Sequence, residues 1–129
     1  MTFDCVLFDC SGSMNASADG RFSNTRMQKA LDMLFDMHKD GKIDGRTLIV
    51  PFDSGVRGGI TMDLLMKMSS DEVMKLFEPA GGTNIADAFK YCGSSNVLLM
   101  TDDPHAGHFV GKCCPIIYLG VNKPESLYR

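Results

Sequence analysis

Four short apolar runs punctuate this chain, and what it can fold into follows largely from what lies between them. Residues 3 to 9, 47 to 52, 96 to 102 and 115 to 119 read as β-strands. The first is almost continuously apolar after Asp4, the pattern of a strand covered on both faces, so helices are expected on either side of the sheet. Between the first two strands, Met27, Ala30, Leu31, Leu34 and Met37 recur at three- and four-residue steps. That is the stripe of an amphipathic helix over Thr25 to Lys39, which Gly41 ends. After the second strand the turn Asp53-Ser54-Gly55 leads into 56 to 62, expected as a short antiparallel edge strand. Ser69 followed by Glu72 carries the signature of a capping box, with Val73, Met74, Leu76 and Phe77 as the apolar face of the helix it opens. Thr83 or Asn84 is placed to cap a further helix from Ile85 to Tyr91. Residues 103 to 113 read as a loop or a single helical turn, and Ser126 to Arg129 as the stub of a terminal helix.

Strands alternating with helices predict an α/β fold: an open, mostly parallel sheet flanked by helices. At 129 residues, with 44% hydrophobic and 22% charged side chains, the chain fits a single domain over 1–129 with a core of its own. A net charge of −3 supplies no basic stripe for a phosphate backbone, so no nucleic-acid partner is expected. No stretch approaches the roughly 20 apolar residues of a membrane span, and no basic, apolar leader opens the chain. Five cysteines, an odd count without framework spacing, read as reduced thiols and point to a cytoplasmic location.

The chemistry-bearing feature is Asp9-Cys10-Ser11-Gly12-Ser13, set where the first strand meets a Gly-containing turn. A carboxylate and two hydroxyls at alternating positions can turn several oxygens toward one small hard cation. Gly81-Gly82-Thr83 adds a hydroxyl before a helix, and Thr101-Asp102 ends a later strand in a second carboxylate. In open α/β sheets ligands bind beyond the carboxyl ends of the strands, where Asp9 and Asp102 both fall. The ordered set Asp9, Ser11, Ser13, Thr83 and Asp102 resembles the metal-ion-dependent adhesion site of the von Willebrand factor type A domain family.

The resemblance implies a Rossmann-like fold, here with a shortened C-terminal part. It also implies Mg²⁺, with Mn²⁺ or Ca²⁺ as substitutes, held by these five residues with the serines as direct ligands. Its function would be noncatalytic: the ion captures an Asp or Glu side chain presented by a protein partner. Asn15, Asn84 and His105 are candidate contacts on the rim formed by loops 14 to 24, 53 to 59, 79 to 84 and 103 to 109.

Other readings stand beside this one. Asp9 and Ser11 taken alone more often hydrogen-bond a turn, and Gly81-Gly82-Thr83 alone is a loop and helix cap. A metal-dependent phosphoester hydrolase also begins with an Asp after a first strand, but Ser11 stands where the second Asp of that pattern is needed as acid or base. Asp103, His105 and His108 could approach a zinc site but lack a fourth ligand. The ten methionines read mainly as core filling, and any that are exposed would make an adaptable contact surface.

Overall fold

A computed structural model describes residues 2–16, 25–93, 96–103, 105–107 and 114–119, and all structural statements below concern these. Most of the 14 to 24 loop, His108, Cys113 and the expected stub at Ser126 to Arg129 lie outside them. The expected loop or helical turn of 103 to 113 is described only in part.

The sheet has five strands in the order β3-β2-β1-β4-β5. They are β1 (Cys5–Asp9), β2 (Leu48–Phe52), β3 (Ile60–Thr61), β4 (Val97–Thr101) and β5 (Ile116–Tyr118). β1 runs parallel to β2 and β4, and β4 parallel to β5, while β3 pairs antiparallel with β2. The sheet is therefore mixed, which corrects the expected Rossmann-like type A fold. The cause is local: the connection after β2 is a tight turn, too short for a crossover helix, so the returning strand must run antiparallel. The edge strand is also shorter than 56 to 62, because Thr61 caps a helix, accepting from the Leu64 N–H, and the chain coils from Met62 onward.

Four α-helices are described: α1 (Arg26–Lys39), α2 (Met62–Lys67), α3 (Ser70–Leu76) and α4 (Ile85–Cys92). α1 begins where the Thr25 hydroxyl accepts from the Gln28 N–H, and its apolar stripe is buried throughout. The Ser69–Glu72 capping box forms at the start of α3, and Asn84 caps α4. α2 was not legible in the sequence, since only Met62 and Leu65 of its six residues are buried.

Alternation along the strands sends side chains to two cores. Val6, Phe8, Ile49, Leu98 and Met100 pack beneath α1, α2 and α3. Cys5, Leu7, Val50, Phe52 and Leu99 pack against Ile85 and Ala88 of α4 on the opposite face. Phe8 meets Phe77 edge to face with ring centroids 4.8 Å apart, which locks the end of α3 over the central strand.

Cys5 and Cys92 form a disulfide across 87 residues, joining β1 to the end of α4. This corrects the reading of the cysteines as reduced: spacing in sequence carries no information on a pair that the sheet brings together. Cys10 and Cys114 are free and buried.

Candidate functional site at the strand ends

The carboxyl ends of β2, β1 and β4 lie side by side and bring Asp53, Asp9 and Thr101-Asp102 to one edge of the sheet. Asp9, on the central strand, is fully buried. One of its oxygens accepts from the Ser11 N–H at 2.8 Å, and the other from the Thr101 hydroxyl at 2.6 Å. The first contact is an Asx turn, in which a carboxylate stands in for a backbone carbonyl two residues before the N–H it receives. The same device recurs at Asp44, Asp53 and Asp103, each accepting from the N–H two residues on. At Asp9 it turns the chain from β1 into the short 3-10 segment Gly12–Asn15.

Burial raises the Asp9 carboxyl above the ordinary Asp range. The Thr101 and Ser11 hydrogen bonds oppose that rise, and the Asp102 charge adds to it. Asp102, whose side chain is only 5% exposed, receives Arg26 Nη1 at 2.8 Å. Arg26 is the first residue of α1, and its backbone N–H donates to the Ala16 carbonyl, so the chain leaving β1 also fixes where this guanidinium stands.

On the β2 side, Arg57 acts as a clamp. Its Nε donates to Asp53, Nη1 to the Leu76 carbonyl, and Nη2 to the carbonyls of Cys10 and Glu78. Burial alone would raise Asp53, but the Gly55 N–H and the Arg57 guanidinium outweigh it and hold the carboxyl below the ordinary range. The loop before α4 is stitched to this framework: the Gly12 N–H donates to the Gly81 carbonyl and the Gly82 N–H to the Ser54 hydroxyl. Gly81 has φ +76, and a Cβ there would approach the Ser54 Oγ to 3.1 Å, so only glycine fits without strain.

Of the five residues expected to surround a cation, Asp9 and Ser11 are bonded to each other, and the Ser11 and Ser13 hydroxyls lie 3.1 Å apart. Asp102 interacts with Asp9 through its charge. Thr83 is exposed, and its loop reaches the first turn through the backbone of Ala80 and Gly81 rather than through its hydroxyl. The set does not fit a cation shell as arranged. Asp102 is engaged by Arg26, an oxygen of Asp9 by Thr101, and among the described residues no group of three or more His, Cys, Asp or Glu is placed to hold a metal. Asn84 is used locally, bonding Asp87 and the Ser54 carbonyl. His105 gives its backbone N–H to Asp103, and His108 of the zinc alternative lies outside the described residues.

A second feature went unread in the sequence. Between α1, α2 and α3 runs a groove of about 560 Å³, with Leu31, Leu65 and Val73 at its base and Phe35 and Met68 on its walls. Met66 and Met74 line it while 49% and 47% exposed. Asp32 is its one charged lining residue among those described. The signal available was methionine spacing, which distinguishes core from rim only once the helices are packed.

No family model and no curated protein matches this chain. Among solved structures it is similar to the PilB minor pilin from Streptococcus sanguinis, at 20% identity and a TM-score of 0.45, over 81% of this chain and 31% of that one. The chain thus spans about a third of the pilin's length, and a likeness this slight assigns neither fold nor function. The ion pair on Asp102, the Thr101 hydrogen bond on Asp9 and the lack of a cluster of three or more His, Cys, Asp or Glu among the described residues correct the assignment to the von Willebrand type A family. The Mg²⁺-dependent capture of an acidic side chain and the metal-dependent hydrolase fall with it.

Proposed function

We propose that this chain is a noncatalytic protein-binding domain that receives an amphipathic helix of a partner in the groove between α1, α2 and α3. The observation that carries this reading is the pair of half-exposed methionines, Met66 and Met74, over an apolar base. Exposed apolar surface concentrated in a concave site is the usual mark of a docking face, and unbranched, polarizable methionines adapt to an incoming helix. Helix-in-groove recognition places residues at three- and four-residue steps against such a base.

Charge selects the kind of helix. Asp32 stands in the groove and Asp36 one turn further along α1, both exposed. A partner carrying Lys or Arg opposite Asp32 gains an ion pair, whereas one presenting Asp or Glu meets like charge. The recognised group is therefore basic rather than the acidic one expected from the sequence.

The test uses two labelled synthetic helices with the same leucine face, one with lysines and one with glutamates on the polar face, titrated by fluorescence polarisation. The lysine peptide is expected to bind, and Met66→Glu with Met74→Glu to weaken it by ~10-fold or more. Asp32→Lys should shift preference toward the glutamate peptide. Equal affinity for both peptides, or binding indifferent to the methionine substitutions, would sink the reading. A concentration-dependent dimer abolished by Met74→Glu would assign the groove to a second copy of the chain instead.

A further inference from the structure

We propose that Arg26 is the resident counter-charge of Asp102 at the strand ends, so that this carboxylate is neutralised from within the chain and not by a bound divalent ion. Two carboxylates brought together at the edge of a sheet repel, and something positive must stand between them and the low-dielectric core. The sequence offers a metal for that task; the fold offers a guanidinium.

The placement of Arg26 is built in. It opens α1 directly after the Thr25 cap, its N–H holds the Ala16 carbonyl, and its Nη1 reaches Asp102 at 2.8 Å. The side chain is 21% exposed, yet its Nε is buried without a hydrogen-bond partner. A guanidinium that leaves one donor unsatisfied is held where its charge is needed rather than where all its hydrogen bonds are best.

Asp9 is shielded differently. The Thr101 hydroxyl and the Ser11 N–H occupy one oxygen each, and the Asp103 N–H in turn bonds the Thr101 oxygen, which fixes that hydroxyl as a donor to Asp9. A divalent ion entering here would have to displace Arg26 from Asp102 and Thr101 from Asp9 while lying beside a fixed positive charge. Guanidinium and cation compete for the same oxygens, and the tethered one pays no entropy of association.

The proposal predicts that removing Arg26 creates a cation response that the natural chain lacks. Melting of the full chain is followed in EDTA, in millimolar Mg²⁺ or Mn²⁺, and in NaCl of matched ionic strength. The natural chain is expected to melt at one temperature in all of them. Arg26→Met, which keeps the stem and removes the charge, should melt about 5 °C lower in EDTA and regain part of that loss in Mn²⁺ but not in NaCl. Adding Asp102→Asn to Arg26→Met should abolish the Mn²⁺ response, and Arg26→Lys should fall between the natural chain and Arg26→Met.

A natural chain stabilised by Mg²⁺ or Mn²⁺ over EDTA overturns the proposal, as does an Arg26→Met variant that melts with the natural chain. Should Arg26→Met fail to fold, Arg26→Lys and the natural chain decide alone: cation-independent melting of the natural chain with a lower-melting Arg26→Lys supports the internal counter-charge, and a cation-dependent rise in the natural chain, or an Arg26→Lys that melts with it, refutes it.

Discussion

The strand ends and the helical groove are built from opposite chemistry and finished to opposite degrees. At the strand ends Asp9, Asp53, Asp102 and Arg57 have partners within the chain, and the loops around them are tied down by backbone bonds. In the groove, Met66 and Met74 turn apolar surface to solvent. A constellation rich in carboxylates and hydroxyls invites a functional reading, yet here its polar atoms are spent on turning the chain and joining loops. The unspent surface is apolar and lies on helices that carry no motif. What marks a docking face is the surface left over after folding, not the density of reactive side chains.

The sharpest way to break this contrast is Arg57→Ala. It removes the guanidinium donors from the carbonyls of Cys10, Leu76 and Glu78 and the counter-charge from Asp53, and is expected to lower the unfolding free energy by about 3 kcal/mol in urea denaturation. A loss near zero would mean that the strand end is not internally held.

A smaller and pH-dependent effect is expected at Asp9. Burial raises its carboxyl in the fold, so its contribution is fully present below the unfolded pKa and lost as pH rises through the folded one. Asp9→Asn does not titrate and should gain stability relative to the natural chain as pH rises above the ordinary Asp range, from about pH 4 upward. Melting curves of the two proteins across that range check the sign, and a parallel pair of curves would contradict it.

Thiol chemistry sharpens the picture beneath the same strand end. Burial pushes Cys10 up to about 12 and Cys114 to about 11, so both should resist alkylation in the native state. After unfolding without reductant, mass spectrometry should find both modified, and Cys5 and Cys92 modified only once reductant is added.

The smallest effect on stability belongs to the groove. Met66→Gln and Met74→Gln should each change unfolding free energy by less than about 0.5 kcal/mol, since both side chains are half exposed. Their effect on peptide affinity should be far larger, and a variant that lost stability and binding together would erase the distinction between the two regions.

Much of the fold was legible in local pattern. The stripe of α1, the capping box at Ser69 and Glu72, the Asn84 cap and the apolar strands β1, β2, β4 and β5 were read from residues within a few positions of one another. Asp9, Ser11 and Asp102 were also rightly placed at the carboxyl edge of the sheet. Their use was not legible, because Arg26 is 76 residues from Asp102 in sequence and Thr101 is 92 from Asp9. The Cys5–Cys92 pair and the groove have the same cause.

By itself the sequence determined where helices and strands begin and which faces are apolar, since propensity, capping and periodicity are short-range. Only the tertiary structure decided that Cys5 meets Cys92, which cation answers Asp102, and which methionines remain at the surface. Charge pairing and residual exposure depend on distances between segments remote in sequence, and those distances exist only after the chain has packed.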